Sequence, residues 1–468
     1  MLDELYVSGN YCKEERLFRL YQVCNTNKPY TYNKVSNVSE INMIIHVVRE
    51  GETIDMIADQ YGVSPERLIL ENEIVNPYRL VVGEAIVVLI PEITYTIQEG
   101  DTLSSIADSF GVDVLQLLRN NPYLSDREYI YPGETIVISY EGEKIRSITT
   151  NSYAYPFINM ATLRKNLLFL TSLTILSYKV TAEGEIIDID DREIIQVTKE
   201  YRVAPIMMLE AFALNMEEEI SVIHSILSSQ EKQDLLINNL LTILQAKGYS
   251  GVNINTPYIN PIDRTLYEDF IIKLYVTVSS AGYKVYNTFT IRVFQLLTGT
   301  IFAGLDYASL GQHADGIILI TYDFGFSEGI PPGTSSLSTY RRFFEYATRV
   351  IPPDKTFVGI SVIGFLWQFP YIPGITRGMA VSYNAAREIA IDTNSAIEFD
   401  ETTNSAYFQY ISDENEYVVR FWDARSINNL VGFVPEFGLQ GISIWNIMSW
   451  FPQQWLVINS QYNIDKAL

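Results

Sequence analysis

Short apolar runs alternate with amphipathic segments from about residue 150 to the end of the chain. Segments such as 231–249 and 337–350 place apolar residues three and four positions apart, which predicts helices. Eight βα units in roughly 320 residues predict an α/β fold, a (β/α)8 barrel over residues 146–468. The eight predicted strands lie at 152–158, 170–178, 204–212, 251–256, 283–289, 316–323, 356–364 and 441–445.

A polar stretch interrupts this alternation between the seventh and eighth predicted strands. It spans about 365–421 and contains the hairpin-like sequence SAIEFDETTNSAYFQYISDENEYVVRFW. We therefore predict a small α+β insertion over the C-terminal face of the barrel.

A different pattern, present in two copies, precedes the barrel at 43–91 and 92–141. The segment HVVREGETIDMIADQYGVSPERLILEN returns 49 residues later as YTIQEGDTLSSIADSFGVDVLQLLRNN. Each copy is predicted to form a βααβ unit in which a threonine caps the first helix and a glycine ends it. The shared positions are Glu50 and Glu99, Gly51 and Gly100, Thr53 and Thr102, Ile57 and Ile106, Ala58 and Ala107, and Gly62 and Gly111.

Both copies resemble LysM modules, because each combines the E-G-[ED]-T turn with a G-E pair before its last strand. The resemblance implies a shallow groove for a glycan that contains N-acetylglucosamine, between the first turn and the loop at 76–80 or 125–130. The alternative is that the same residues only cap helices and form turns. The residues that the resemblance assigns to glycan binding are Gly51, Glu52, Thr53, Ile54, Gly100, Asp101, Thr102 and Leu103.

Charge and composition exclude several classes of partner. The chain holds 56 acids against 33 bases, a net charge of −23, and a surface of that sign repels nucleic acid and anionic membranes. Residues 43–140 contain sixteen of the acids, five arginines and no lysine, so a neutral acetamido glycan or a basic surface suits them best. Two cysteines and three histidines favour neither a disulfide scaffold nor a zinc site, and no metal or cofactor is predicted.

The barrel resembles glycoside hydrolase family 18, and more closely the LysM-bearing branch of spore germination and cortex-lytic N-acetylglucosaminidases. The segments that carry the resemblance are SYKVTAEGEI, YSGVNINTPYINPIDR, ITYDFGFSEGIPPG and DARSINNLVGFVPEFGLQGISIW. In that family the strand-four motif D-x-x-D-x-D-x-E supplies a general acid and an aspartate that orients the acetamido group of the substrate. That acetamido group is itself the nucleophile, in the substrate-assisted variant of glycoside hydrolysis.

All four acids of this motif are missing. The aligned positions are Ser250, Asn253, Asn255 and Pro257, and proline cannot donate a proton. From this loss we predict a pseudoenzyme with no catalytic residue.

Four other residues of the barrel are candidates for the site. The resemblance implies that Tyr322 and Asp323 contact the sugar and that Trp445 forms the aromatic floor beneath it; the alternative for these three is retained packing. Glu210, at the end of the third predicted strand, is weighed as a substitute acid against a polar residue of the rim.

Residues 1–42 resemble neither module and are interpreted as an N-terminal arm for assembly or as a loosely ordered tail. Cys12 and Cys24 could bond each other, bond another subunit or stay reduced. No secretory signal is expected, because Asp3 and Glu4 stand where such a signal is basic. No run approaches ~20 apolar residues, so no membrane span is expected.

Two functions follow as expectations. The first is a non-catalytic, glycan-binding structural protein of the spore coat, exosporium or an appendage, made in the mother-cell cytoplasm. In this function the protein pairs with copies of itself or with coat proteins and self-assembles. The alternative is an active peptidoglycan or chitin N-acetylglucosaminidase that acts in spore cortex lysis through a non-standard acid.

Overall fold

The computed structural model describes most of the chain beyond residue 42. The N-terminal arm with Cys12 and Cys24 lies outside the described residues, as do Pro257, Tyr322 and Asp323. The described residues are 43–125, 127, 129–211, 216–255, 259–290, 292–296, 299–303, 306–320, 336–372 and 375–468.

The two repeated units have the predicted βααβ structure. In both, the threonine hydroxyl accepts a hydrogen bond from the backbone of the first helical turn, and the following glycine ends the helix with φ near +68° or +67°. The first unit consists of β1 (Met43–Val47), α1 (Ile54–Tyr61), α2 (Pro65–Glu71) and β2 (Ala85–Leu89). The second consists of β3 (Pro91–Thr96), α3 (Leu103–Phe110), α4 (Val114–Asn120) and β4 (Thr135–Tyr140). In each unit the two strands pair antiparallel.

The rest of the chain forms the predicted barrel and its insertion. The strands are β5 (Arg146–Ala154), β6 (Ser172–Val180), β7 (Ile186–Ile187), β8 (Ala204–Ala211), β9 (Gly251–Asn255), β10 (Lys284–Thr290), β11 (Arg292–Leu296), β12 (Gly299–Ala303), β13 (Gly316–Ile320), β14 (Thr356–Ser361), β15 (Gly364–Phe369), β16 (Met379–Val381), β17 (Glu398–Asp400), β18 (Ser405–Ser412), β19 (Asn415–Phe421), β20 (Gly441–Trp445) and β21 (Tyr462–Ile464). The helices are α5 (Met160–Leu167), α6 (Arg192–Glu200), α7 (Met216–Leu227), α8 (Gln230–Lys247), α9 (Arg264–Ser280), α10 (Tyr307–Gln312), α11 (Leu337–Val350), α12 (Tyr383–Asp392), α13 (Ala424–Val431), α14 (Phe433–Phe437) and α15 (Pro452–Gln461).

Eight parallel strands close the barrel in the order β5, β6, β8, β9, β10, β13, β14 and β20, and β20 pairs back onto β5. This confirms the predicted fold class. The first strand begins at Arg146, six residues earlier than its apolar run. Its polar start pairs with β21, and Asn151 hydrogen-bonds to Ser443 and accepts from Ser172 inside the barrel. Polar residues that are satisfied in this way form a strand that an apolar pattern does not reveal.

The insertion follows the seventh barrel strand. Five short strands form an antiparallel sheet in the order β16, β15, β19, β18, β17, and α12 accompanies them. The predicted hairpin is β18–β19, and its turn residues Asp413 and Glu414 have positive φ angles of 48° and 63°.

The first βααβ unit packs closely on the insertion and the barrel. Gly83 has φ +84°, and a Cβ atom there would lie 1.7 Å from the carbonyl oxygen of Ile397, so only glycine fits. Beside this contact the guanidinium of Arg387 pairs with the buried carboxylate of Glu84. Arg425 donates a hydrogen bond to the Gly83 carbonyl oxygen over 3.0 Å. The unit and the barrel therefore share a desolvated interface that contains charge.

A second buried carboxylate lies between the two βααβ units. Glu71 of α2 accepts a hydrogen bond from the Tyr140 hydroxyl of β4 over 2.7 Å and lies 3.2 Å from Arg67. Burial raises the pKa of the Glu71 carboxyl to about 7, against the lowering effects of Arg67 and Tyr140. Between pH 4.5 and about 7, the Glu71 carboxyl at this junction therefore keeps a proton that an exposed glutamate has lost.

This proton predicts a pH-dependent stability. In the unfolded chain Glu71 ionises near its ordinary pKa of 4.5, whereas the folded chain retains the proton up to about pH 7. The free energy of unfolding should therefore fall as the pH rises from 4.5 to 7, by up to about 3 kcal/mol from this group. Urea unfolding at pH 5 and pH 7.5 should show this fall in the wild type and a smaller one in Glu71→Gln. The exposed Glu50→Gln should behave as the wild type, and an equal fall in Glu71→Gln would contradict the assignment.

Among the helices in the described part of the chain, none is both long and apolar enough to cross a membrane.

Candidate active site

The C-terminal ends of the eight parallel strands form one mouth of the barrel. Below this mouth, inward-facing side chains form an apolar layer that includes Met208 of β8 and Phe357 of β14, with Trp445 of β20 packed against it. Because side chains alternate along a strand, Glu210 lies two positions beyond Met208 on the same inward face, at the mouth. Active sites of such barrels lie at this end.

Glu210 and its neighbours form a polar cluster across three adjacent strands. Lys179 of β6 and Glu210 of β8 occupy paired positions in the sheet, and the Lys179 ammonium contacts the Glu210 carboxylate. On the other side, the Asn255 amide nitrogen of β9 donates to Glu210 Oε1 over 3.2 Å. A carboxylate only accepts hydrogen bonds, so Asn255 must turn its NH2 group toward Glu210. Its Oδ1 then faces the other way, as an acceptor.

An apolar cavity borders this cluster on the outer side of the barrel. It lies between β8, β9 and helices α7 to α9, and Ile223, Leu236 and Phe270 contribute to its lining together with Glu210 and Asn255. Apolar walls reduce the local dielectric constant and strengthen the electrostatic interactions of the polar groups at their edge.

A second carboxyl group lies close to the first. Glu219 is in the first part of α7, one helical turn before the cavity-lining Ile223 and therefore on the same helix face. Burial and the negative charge of Glu210 raise the pKa of Glu219, and Lys179 opposes the shift. Beside the carboxylate that contacts Lys179, the described residues thus include a second carboxyl group, Glu219, whose pKa is raised.

The interior beneath the mouth contains an incompletely satisfied amide. Asn253 of β9 is fully buried, and its Oδ1 accepts from the Thr288 hydroxyl over 2.9 Å. Thr288 in turn lies 3.2 Å from the Tyr153 hydroxyl. Asn253 Nδ2 has no hydrogen-bond partner among the described residues. The Asn253 amide also interacts with the Tyr153 hydroxyl, and an acceptor from a ligand or from water would complete its hydrogen bonds.

The other candidate site residues of the barrel that the structure describes lie at opposite ends of it. Trp445 ends β20 at the mouth, half-buried, with its ring 5.1 Å from that of Tyr153. Ser250 precedes β9 at the opposite end of the barrel, where its backbone N–H donates to the Pro205 carbonyl oxygen. Of the four motif positions, the structure therefore brings Asn255 to the mouth and Asn253 just below it.

In the candidate glycan-binding turns of the two βααβ units, the acidic side chains form hydrogen bonds within the turns and the apolar side chains pack in the cores. Glu52 accepts from the Arg49 N–H over 2.7 Å and contacts His46 over 2.9 Å; burial acts to raise its pKa, but these bonds lower it overall. Asp101 accepts in the same way from the Gln98 N–H and from the Tyr95 hydroxyl. Ile54 is buried in the first core, whereas Leu103 is half-buried against the larger core.

The exposed parts of these turns remain available for contact. They are Gly51, Thr53, Gly100 and Thr102, together with the backbone of both turns. In the loop opposite the first turn, Tyr78 is 94% exposed.

Two residues of the cluster escaped prediction from the sequence. Lys179 belongs to the SYKVTAEGEI segment, but no role followed from its position there, and Glu219 is one of three consecutive glutamates at a helix start. Counting the alternating inward and outward positions along the two predicted strands would have placed Lys179 and Glu210 at neighbouring strand ends. No group of three or more His, Cys, Asp or Glu that could hold a metal ion occurs among the residues that the structure describes.

Comparison with known proteins gives consistent matches for both parts of the chain. Residues 46–88 and 95–139 match the LysM domain, and residues 219–449 match the family described as Glycosyl hydrolases family 18. The cortical fragment-lytic enzyme of Bacillus subtilis (strain 168) is 30% identical over 431 residues, which cover 91% of this chain and 99% of that protein. The protein of the same name from Bacillus cereus is 29% identical, with 90% and 99% covered. The crystal structure of the Bacillus cereus spore cortex-lytic enzyme SleL superposes with a TM-score of 0.75 at 27% identity, covering 91% of this chain and 99% of that one.

These matches overturn one prediction. The chain was expected to be a pseudoenzyme, yet relatives that match it over nearly their whole length are named lytic enzymes. The prediction was wrong because it gave the acids missing from one strand, β9, more weight than the substitute acid Glu210, which it had considered as the alternative to a polar residue of the rim. In the folded chain Glu210 reaches the same mouth from the neighbouring strand and hydrogen-bonds to Asn255. Nothing in the matches supports a coat, exosporium or appendage protein, or self-assembly.

Proposed function

The chain belongs to glycosyl hydrolase family 18, in its LysM-bearing form, and on this premise we propose that it is a glycosidase of bacterial spore cortex fragments. Its substrate is a glycan that contains N-acetylglucosamine, and the reaction is hydrolysis of the glycosidic bond at the C-terminal mouth of the barrel. The observation that supports this proposal best is the carboxylate of Glu210, which is hydrogen-bonded to Asn255 at that mouth.

The chemistry needs two carboxyl functions and an aromatic floor. In the substrate-assisted reaction the acetamido oxygen of the sugar attacks C1, and the bond from C1 to the leaving oxygen breaks while that oxygen takes a proton from an acid. The acetamido N–H must be held by an acceptor, and the positive oxazolinium ring must be stabilised by negative charge. Asn255 and Glu210 provide the acceptor and the charge, and Trp445 provides a floor for the sugar. Tyr322 and Asp323 are proposed contacts of the same sugar.

The second step returns the enzyme to its first state. Water attacks C1 and transfers a proton to the carboxylate that acted as the acid, and the oxazolinium ring opens to regenerate the acetamido group. No external oxidant, metal or cofactor enters this balance.

The LysM domains are proposed to bind the same glycan and to hold it near the barrel. Support comes from the exposed turns at Gly51 and Gly100 and from the exposed Tyr78 in the opposite loop. Since Glu52 and Asp101 are engaged in hydrogen bonds within their own turns, sugar contacts come from the backbone and from neighbouring side chains.

The test combines turnover and binding with the full chain. Purified protein should release fragments with new reducing ends from muramidase-treated spore cortex, and should sediment with intact, insoluble cortex. Absence of both turnover above the buffer rate and of sedimentation would contradict the proposal. Sedimentation without turnover would contradict the hydrolase and leave only the binding part.

A further inference from the structure

We propose that Lys179, Glu210 and Glu219 together replace the missing motif acids: Glu210, held by Lys179, orients Asn255 toward the substrate, while Glu219 donates the proton. This inference rests on the proposed function, which it deepens by assigning roles within the mouth.

The first step concerns the partners of Glu210. The Lys179 ammonium contacts Glu210 Oε2, and Asn255 Nδ2 donates to Glu210 Oε1. Both oxygens of the carboxylate are therefore engaged by donors of the protein. Glu210 is a fixed acceptor for these two donors, and another residue must supply the proton.

The second step concerns how that charge reaches the substrate. Asn255 is neutral and cannot by itself stabilise a cationic ring. With its NH2 group held by Glu210, however, its Oδ1 is turned toward the opposite side, where it can accept from the acetamido N–H. The carboxylate polarises the amide, and the two residues together act as one charged acceptor. Glu210 is in this role a positioning residue and Asn255 the group that touches the substrate.

The third step identifies the acid. A proton donor must be protonated near neutral pH and must lie on the same side of the mouth. Glu219 shares a helix face with Ile223, which lines the cavity next to Glu210, and α7 begins five residues after the end of β8. Burial and the negative charge of Glu210 raise the pKa of Glu219, which favours a proton donor at this position.

A further observation concerns the amide of Asn253, below Asn255. The buried Nδ2 of Asn253, two residues before Asn255 on the same inward face, lacks an acceptor among the described residues. A polar substrate group or a water molecule that accompanies the substrate would satisfy it.

The test uses two substrates with different leaving groups. Cortex oligosaccharides leave as a sugar alkoxide that needs a proton, whereas a 4-nitrophenyl N-acetylglucosaminide leaves as a stable phenolate. We expect Glu219→Gln to lower turnover of the oligosaccharide by ~10²–10⁴-fold and that of the nitrophenyl substrate by less than about tenfold. Lys179→Met should lower kcat on both substrates to a similar degree with little change in KM, because the Glu210 carboxylate then loses a donor that fixes its position.

The control is Glu217→Gln, an exposed glutamate of the same helical turn, which should leave both rates unchanged. Thermal unfolding of each variant checks that the fold is intact. Equal losses on both substrates in Glu219→Gln, or no loss on either, would overturn the role of Glu219. An unchanged kcat in Lys179→Met would overturn the role of Lys179. A wild type that turns over neither substrate would instead overturn the proposed function, and the assignment of roles with it.

Discussion

Replacing Glu210 by glutamine is expected to lower kcat on cortex fragments by roughly 10²–10³-fold, with little change in KM. The substitution preserves the shape of the side chain but removes its negative charge, and a glutamine can turn its own NH2 group toward Asn255. The acceptor for the acetamido N–H would then be lost together with the charge that stabilises the oxazolinium ring. Because this charge matters most in the transition state, the loss should appear in kcat.

The measurement is steady-state turnover of both the cortex oligosaccharide and the nitrophenyl substrate. Unlike Glu219→Gln, Glu210→Gln should affect both substrates to a similar degree, because oxazolinium formation is common to them. Glu210→Asp should retain more activity than Glu210→Gln, and the exposed Glu193→Gln on α6 should have wild-type rates. A Glu210→Gln variant within tenfold of wild type would show that Glu210 is a polar residue of the rim.

The second large effect is expected at the interface between the first LysM domain and the insertion of the barrel. Glu84→Ala should reduce the free energy of unfolding by ~3–5 kcal/mol, because it leaves the buried Arg387 guanidinium with only the exposed carboxylate of Glu388, 3.7 Å away. Arg387 has little access to water, with a side-chain exposure of 6%, and its Nη2 already lacks a partner among the described residues. Removing one member of such a pair costs more than removing both.

Urea unfolding would measure this loss. The matched control is Asp190→Ala, which breaks a pair with Arg192 whose side chains are 78% and 85% exposed and should leave the free energy of unfolding nearly unchanged. The double variant Glu84→Leu, Arg387→Met should recover part of the loss. A loss below about 1 kcal/mol in Glu84→Ala would mean that water reaches Arg387 and that the interface is less desolvated than its burial indicates.

Much of the fold could be predicted from local patterns. The repeated turn with its capping threonine and terminating glycine determines a helix start and stop within a few residues, and the structure has both caps in place. The eight apolar runs predicted the barrel because parallel strands are buried on both faces. The start of β5 at Arg146 was missed, since its polar residues are satisfied by partners far away in the sequence, such as Ser443.

The functional site could be predicted less well from local patterns in the sequence. The sequence alone established that the aligned motif on the fourth strand carries Ser250, Asn253, Asn255 and Pro257 instead of acids, and it led to the prediction of a protein without catalysis. The motif positions belong to one strand, whereas the mouth of a barrel is lined by side chains from eight strands. The loss of the acids from one strand therefore does not show that the mouth lacks carboxyl groups.

What the sequence by itself determined is therefore the order of the parts: two LysM domains, eight βα units, an insertion and a strongly acidic surface, all of which depend on residues near one another in the chain. Only the tertiary structure decided which polar side chains of different strands contact one another. Lys179, Glu210 and Asn255 are separated by 31 and 45 positions, and they touch because the parallel strands β6, β8 and β9 are in register at their C-terminal ends. Closure of the sheet brings Trp445 to the same opening, since the last barrel strand pairs with the first.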